Sequence, residues 1–251
     1  MGAMRRTGIL VGTGVLIALL AAVAVACGGG DGEKAAAVPS PGATGTPGDT
    51  AAATPTATPS AVEQQLNGMV LQLSDLPAGF TQAQESFSTN QDVAGDGEGA
   101  AETLAQLTEW GRILGHGVVF SADASSGSGL FLVDSTVSLY QSDGGAASSF
   151  ADAVNTARAT DWQATMGQAT DVQAEEVPPL DVADEMLWLR IHGTALVGEP
   201  ASEQPFIQDV VLLRVGRVRG SVSTISGASD AALQVEQMVR AQAANMASGL
   251  Q

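Results

Sequence analysis

The stretch LFLVDSTVSLYQSDGGAASSFADAVNTAR (130–158) decides the fold class. From Leu130 to Tyr140 its residues alternate. Phe131, Val133, Val137 and Leu139 share one face, and Asp134, Thr136, Ser138 and Tyr140 share the other. That period of two predicts a half-buried antiparallel strand. Asp143-Gly144 ends it. From Ala146 to Arg158 the period lengthens, with Phe150, Val154 and Ala157 on one stripe of a helix.

The same two patterns recur on both sides. Upstream, Ala61 to Leu73 reads as an amphipathic helix with Val62, Leu66, Met69, Val70 and Leu73 at helical spacing. Ser74 to Gly79 is a turn, Phe80 to Phe87 a strand, Asn90 to Gly99 a Gly/Asp loop, Ala100 to Trp110 a short helix, and Ile113 to Phe120 a strand. Downstream, Met186 to Ile191 is a strand. Phe206 to Leu213 and Val218 to Ile225 form a hairpin around Val215-Gly216. Ser229-Asp230 caps a last helix through Met246, with Leu233, Met238, Gln242 and Met246 on its stripe. These elements predict an α+β fold: a mostly antiparallel sheet backed on one face by helices. Strand–strand–helix at 113–158 returns at 186–246, a duplication at the level of topology alone.

Upstream of residue 61 the composition changes twice. Residues 28–60 (GGGDGEKAAAVPSPGATGTPGDTAAATPTATPS) carry almost no large apolar side chains. Such a Pro/Thr/Ala segment cannot bury enough surface to offset its ordering entropy and is expected to be a disordered linker. At about 3.1 Å per residue it reaches on the order of 100 Å when extended. Thr54, Thr56, Thr58 and Ser60 are candidates for O-glycosylation in such a stalk.

Residues 1–26 have the layout of an export signal: Arg5-Arg6, then the apolar run ILVGTGVLIALLAAVAV (9–25), then Ala24-Val25-Ala26. The chain's one cysteine, Cys27, follows directly. This segment resembles the bacterial lipoprotein signal, although Ala24 stands where that family usually has Leu. The resemblance implies cleavage between Ala26 and Cys27, acylation of Cys27, and anchoring on the outer face of the cell membrane. Two other readings stay open: ordinary signal-peptidase cleavage that releases a soluble protein, and an uncleaved helix near the lower length limit for a span. The organisation is therefore 1–26 signal, 27–60 lipidated cysteine and tether, and 61–251 globular domain.

The formal net charge is −17. Asp31, Glu33 and Asp49 lie in the tether, so 24 of the 27 acids fall in the domain, against seven arginines and no lysine. Such a surface argues against nucleic acid, whose affinity comes from clustered Lys and Arg. It will not adhere to anionic headgroups either, so attachment rests on the N-terminal lipid. A lone cysteine excludes a disulfide framework and a multi-cysteine zinc site within the chain.

Three strings, LQLSDLPAGF (71–80), STVSLYQSDGGAASSF (135–150) and VVLLRVGRVRG (210–220), resemble parts of small extracytoplasmic lipoproteins and sensor-type domains of high-GC bacteria. The likeness lies in the turn Asp75-Leu76-Pro77-Ala78-Gly79-Phe80 and the hairpin Arg214-Val215-Gly216-Arg217. It implies a non-catalytic binding or sensing role in the cell envelope, with an envelope ligand or protein partner. It assigns no site residues.

Residues with chemical potential are few. His116 and His192 are the only histidines; with Asp184 or Glu185 they could assemble a metal or hydrolytic site, but no metalloprotease spacing supports one. Asp92, Asp96, Glu98 and Glu102 fail the EF-hand spacing, because Ala94 and Thr103 occupy required ligand positions. Ser125 to Gly129 lacks the nucleophile-elbow pattern. Arg214, Arg217 and Arg219 form the one basic patch and suit an acidic ligand. Trp188 and Arg190, alternating with apolar neighbours, share a strand face that could line a groove. The sequence thus offers no catalytic residues, no metal ligands and no cofactor motif. The expected role is non-catalytic binding or sensing by a membrane-anchored domain. A carrier of lipid or another apolar ligand needs a large apolar cavity between sheet and helices. An envelope hydrolase needs a histidine brought to an acid and a serine.

Overall fold

The computed structural model describes residues 60–122, 129–197, 202–227 and 231–251. The signal, Cys27, the tether up to residue 59, the Ser125–Ser128 part of the loop after β2 and the Ser229-Asp230 cap lie outside them.

In chain order the elements are α1 (Ala61–Asn67), a 3-10 turn (Leu73–Asp75), β1 (Phe80–Ser88), α2 (Asn90–Ala94), α3 (Ala100–Glu109), β2 (Arg112–Ala122), β3 (Leu130–Tyr140), α4 (Asp143–Ala159), α5 (Trp162–Thr165), β4 (Thr170–Val177), β5 (Glu185–Val197), β6 (Ser202–Val215), β7 (Val218–Ser226) and α6 (Ala232–Gly249). The seven strands make one sheet in the order β1-β2-β3-β7-β6-β5-β4, antiparallel throughout. The expected α+β class is therefore observed.

The helices cover both faces rather than one. Opposite parity along β3 shows this. Ser135 donates to Gln242 of α6, while Tyr140, five residues on, bonds Ser149 of α4. α1 and α6 lie together on the Ser135 face, joined where the Gln65 amide donates to the Gly249 carbonyl and Asn245 donates to the Val70 carbonyl. α6 buries Val235, Met238, Val239, Gln242, Ala243 and Met246, the spacing of one helical stripe. Leu233, expected on that stripe, is 76% exposed. β3 is accordingly not half-buried: Tyr140 is fully buried and Ser138 nearly so. The helices that follow β3 and β7 occupy opposite faces, so the two halves of the chain are not superposable repeats.

α1 starts where Ser60 and Glu63 form a reciprocal capping box. It stops at Gly68, earlier than the periodicity predicts. Met69, Val70 and Leu71 are each no more than 1% exposed. The chain leaves the helix through a turn at Gly68-Met69 and a bend at Val70, and this non-helical segment is buried between α6 and the sheet. Asn90 to Gly99 is not a plain loop, because Thr89 and Asp92 cap α2 in the same reciprocal way. Helix α4 begins at Asp143, capped by Ser142. The hairpin turn falls on Gly216-Arg217, one residue later than predicted, since Val215 pairs with Val218. Strand β4 and helix α5 were not predicted. β4 (TDVQAEEV) is a polar edge strand with no apolar alternation to reveal it.

Candidate functional site

The five residues of the expected ligand patch divide between the two sheet faces. Trp188 and Arg190 lie on the α6 face, in register with Val211 and Asp209 of β6. Asp209 is 1% exposed. Trp188 Nε1 donates to Asp209 Oδ1 at 2.7 Å, and Arg190 Nε donates to the same oxygen at 3.0 Å. The Arg190 guanidinium also stands 5.9 Å from the Trp188 ring centroid, within cation–π range. This buried network ties β5 to β6. Asp209, the lone acid in the apolar run 206–213, escapes a sequence reading because only the β5–β6 register places it beside Arg190.

Arg214 and Arg219 lie on the α4 face. Arg214 pairs with Glu185 through Nε and with Asp184 through Nη1 at 3.1 Å. Asp184 also accepts the Gly216 amide at 2.7 Å, so these acids secure the hairpin. Arg219 donates to Ser149 Oγ at 2.9 Å. Arg217, on the turn, is the patch guanidinium without a side-chain partner among the described residues.

Beside Arg219 sits Arg112, a buried cation that sequence reasoning missed. It is 6% exposed. Its guanidinium donates to Ser138 Oγ, the Ser88 carbonyl and hydroxyl, and Asn90 Oδ1, all neutral acceptors. Burial lowers its pKa to about 10, with the Tyr140 hydroxyl opposing that shift and Arg219 adding to it. Gly115 makes the room: a Cβ there would lie 2.1 Å from Arg112 Nη2.

His116 and His192 are not brought together. They stand on β2 and β5, with β3, β7 and β6 between them. Four strand spacings, roughly 19 Å across the sheet, separate their strands. Asp184 and Glu185 are engaged by Arg214. No group of three or more His, Cys, Asp or Glu side chains among the described residues could hold a metal ion. Asp92, from the rejected calcium pattern, accepts from the Thr89 amide and hydroxyl, which hold its carboxyl below the usual range.

His116 does have a setting of its own. It is 2% exposed and stacks on Phe87, with ring centroids 4.3 Å apart. Its Nε2 lies 3.1 Å from Glu85 Oε1, and Gln82 donates to the other oxygen of that carboxylate at 2.7 Å. Nδ1 is buried and has no hydrogen-bond partner among the described residues. His116 and Glu85 line a cleft of about 260 Å³, walled by Val70, Leu71, Leu73, Val118 and Phe120, between the segment after α1 and the outer strands β1 and β2. A second cleft, about 430 Å³, runs between α4 and β5, with Phe150, Val154 and Leu187 in its floor and Arg158 and Glu185 at its rim. Both of those charges are taken, by Glu176 and Arg214 respectively.

Between the sheet and the α1–α6 layer the interior is filled. Leu66, Val133, Leu213, Val222, Val235, Val239 and Met246 are each 0% exposed. The apolar cavity that a lipid carrier would need is absent among these residues.

No protein-family model matches the chain, and no curated protein sequence matches it. Among solved structures, the chain is similar to the extracellular domain of PknH from Mycobacterium tuberculosis. The identity is 12% and the TM-score 0.45, over 76% of this chain and 96% of that one.

Proposed function

We propose that the protein is an extracytoplasmic lipoprotein whose α+β domain binds or senses a component of the cell envelope without catalysing a reaction. The observation that carries this is the position of Cys27. The chain's single cysteine directly follows an apolar run that ends Ala24-Val25-Ala26. A diacyl group at Cys27 supplies the two-chain attachment that stable anchoring needs. No helix among the described residues is long and apolar enough to cross a membrane. Ser60 and Glu63 close a capping box at the start of the first described helix.

The domain's own chemistry supports binding over turnover. Its histidines are held apart, and its arginines are committed to structural partners with the exception of Arg217. An acidic envelope ligand would therefore find Arg217 on the hairpin turn and not a five-residue patch. The test of anchoring is a Cys27→Ala variant expressed in a bacterial host. That variant should leave the membrane fraction, while an uncleaved chain that stays there makes residues 9–25 a membrane helix.

A further inference from the structure

We propose that Arg219, backed by Arg112 and Arg217, forms an anion site that takes a phosphate group on the sheet face that α4 covers. The inference rests on the proposed binding role and names its ligand class. Arg158, Arg190, Arg214 and Arg240 each hold a carboxylate. Arg112, Arg217 and Arg219 have no ion pair among the described residues, although the chain carries 27 acids. The strand register gathers these three at one corner. Ser138 of β3 stands opposite Arg219 of β7, and its hydroxyl accepts Arg112 Nε at 3.2 Å. Tyr140 of β3 stands opposite Arg112 of β2, and its amide donates to the Arg217 carbonyl. Burial lowers the Arg112 pKa, and the neighbouring Arg219 charge lowers it further. Charges taken from water are normally paired, so like charges collected without an acid point to an anion between them.

The open hydrogen-bonding positions here are donors. Arg219 spends only Nη1, on Ser149, a neutral partner. Its Nε and Nη2 have no acceptor among the described residues. The hydroxyls of Ser88 and Ser138 accept from Arg112 and likewise have no acceptor for their own protons there. Arg219 is only partly buried, and so are Gly117, Thr136 and Ser221 in the next row of the sheet, which leaves this corner open to solvent. Arg219 makes the direct contact. Arg112, 6% exposed, supplies its charge from behind, and Arg217 is the outer cation on the turn. A carboxylate neutralises one guanidinium. A phosphate group carries about −1.5 to −2 near neutral pH and so answers two, and the Arg fork matches its oxygens.

Inorganic phosphate and acetate test this, each titrated into the detergent-solubilised full-length protein near neutral pH at about 0.15 M salt, where long-range attraction is screened. Phosphate should bind with a Kd of about 1 mM or tighter, and at least about tenfold more tightly than acetate. In proton–nitrogen NMR spectra of the unaltered protein the Arg219 Nε–H signal should move with that affinity. The Arg240 signal should stay, because that side chain pairs with Glu236 on α6. Arg219→Gln should lose at least about tenfold in phosphate affinity and Arg217→Gln about threefold, while Arg240→Gln should lose nothing. No phosphate binding at about 10 mM, acetate binding as tightly as phosphate, or an Arg219 signal that stays put would overturn the proposal. The signal is read without a substitution, so it decides the matter even where a variant fails to fold. Repeating the titration on Cys27→Ala separates the site from the anchoring claim, because that substitution bears on attachment alone.

Discussion

Trp188 and Asp209 meet across the β5–β6 ladder: the indole Nε1–H donates at 2.7 Å to a carboxylate that is 1% exposed. The Arg190 guanidinium grips the same carboxylate. Removing one partner of a buried pair strands the other's charge, which costs about 3–5 kcal/mol. Asp209→Ala should therefore lower stability by about 3 kcal/mol in urea titrations, the low end because Arg190 keeps some solvent contact. Glu176→Ala breaks the Arg158 pair, about half exposed on both sides, and should leave the urea midpoint nearly unchanged. Equal effects of the two would mean that the Asp209 network is not the tie between these strands.

Gly145 stands in the first turn of α4, where a Cβ would lie 1.9 Å from the Trp110 carbonyl oxygen. A helical glycine replaced by alanine ordinarily gains up to about 1 kcal/mol. Here the backbone must move, and Gly145→Ala should instead cost about 1–3 kcal/mol. Gly144, next to it, has its nearest neighbouring atom at 3.9 Å, so Gly144→Ala should keep the ordinary favourable sign. Thermal unfolding of the two variants reads this reversal between adjacent positions.

Asp134 faces the α4 side of β3 with no hydrogen-bond or ion-pair partner among the described residues. Burial pushes its carboxyl up to about 6. A folded pKa above the unfolded value of about 3.9 means that the native state holds the proton more tightly. Its contribution is therefore fully present below about pH 4 and is lost as pH rises through 6. The loss amounts to up to about 3 kcal/mol. The paired exposed carboxylates Asp92, Glu63 and Glu176 have lowered pKa values and act in the opposite direction. Unfolding free energies of wild type minus Asp134→Asn, measured from pH 4 to 7, cancel those groups. The difference should fall with rising pH. A flat difference would mean that water reaches Asp134.

Ser135 joins three layers through one hydroxyl. It accepts the Leu71 amide at 2.9 Å and donates to Gln242 Oε1 at 2.6 Å. Ser135→Ala leaves a buried N–H and a buried carbonyl unpaired, at a cost of about 2–4 kcal/mol. Hydrogen exchange at Leu71 should rise in that variant before exchange at β7 does, because the segment after α1 loses its clip while the ladder stays intact.

The alternation at 130–140 and the stripe at 146–158 made a strand and a helix legible, because both depend on local spacing. Which face each helix covers was not legible. It depends on whether Ser135 or Tyr140 meets a helix, and both do. β4 escaped because an edge strand held by pairing needs no apolar period. The basic patch looked contiguous because Arg214, Arg217 and Arg219 are close in sequence. Trp188 and Arg190 belong to the other face, and opposing acids already hold Arg214. Glu85 and His116 lie 31 residues apart in the chain and meet only through the β1–β2 register.

The most direct test of the account is the mass of the N-terminal peptide of the protein purified from membranes. A chain that begins at Cys27 and carries a diacylglyceryl thioether is the predicted result. A chain that retains residues 1–26, or one that begins at an unmodified Cys27, would contradict it.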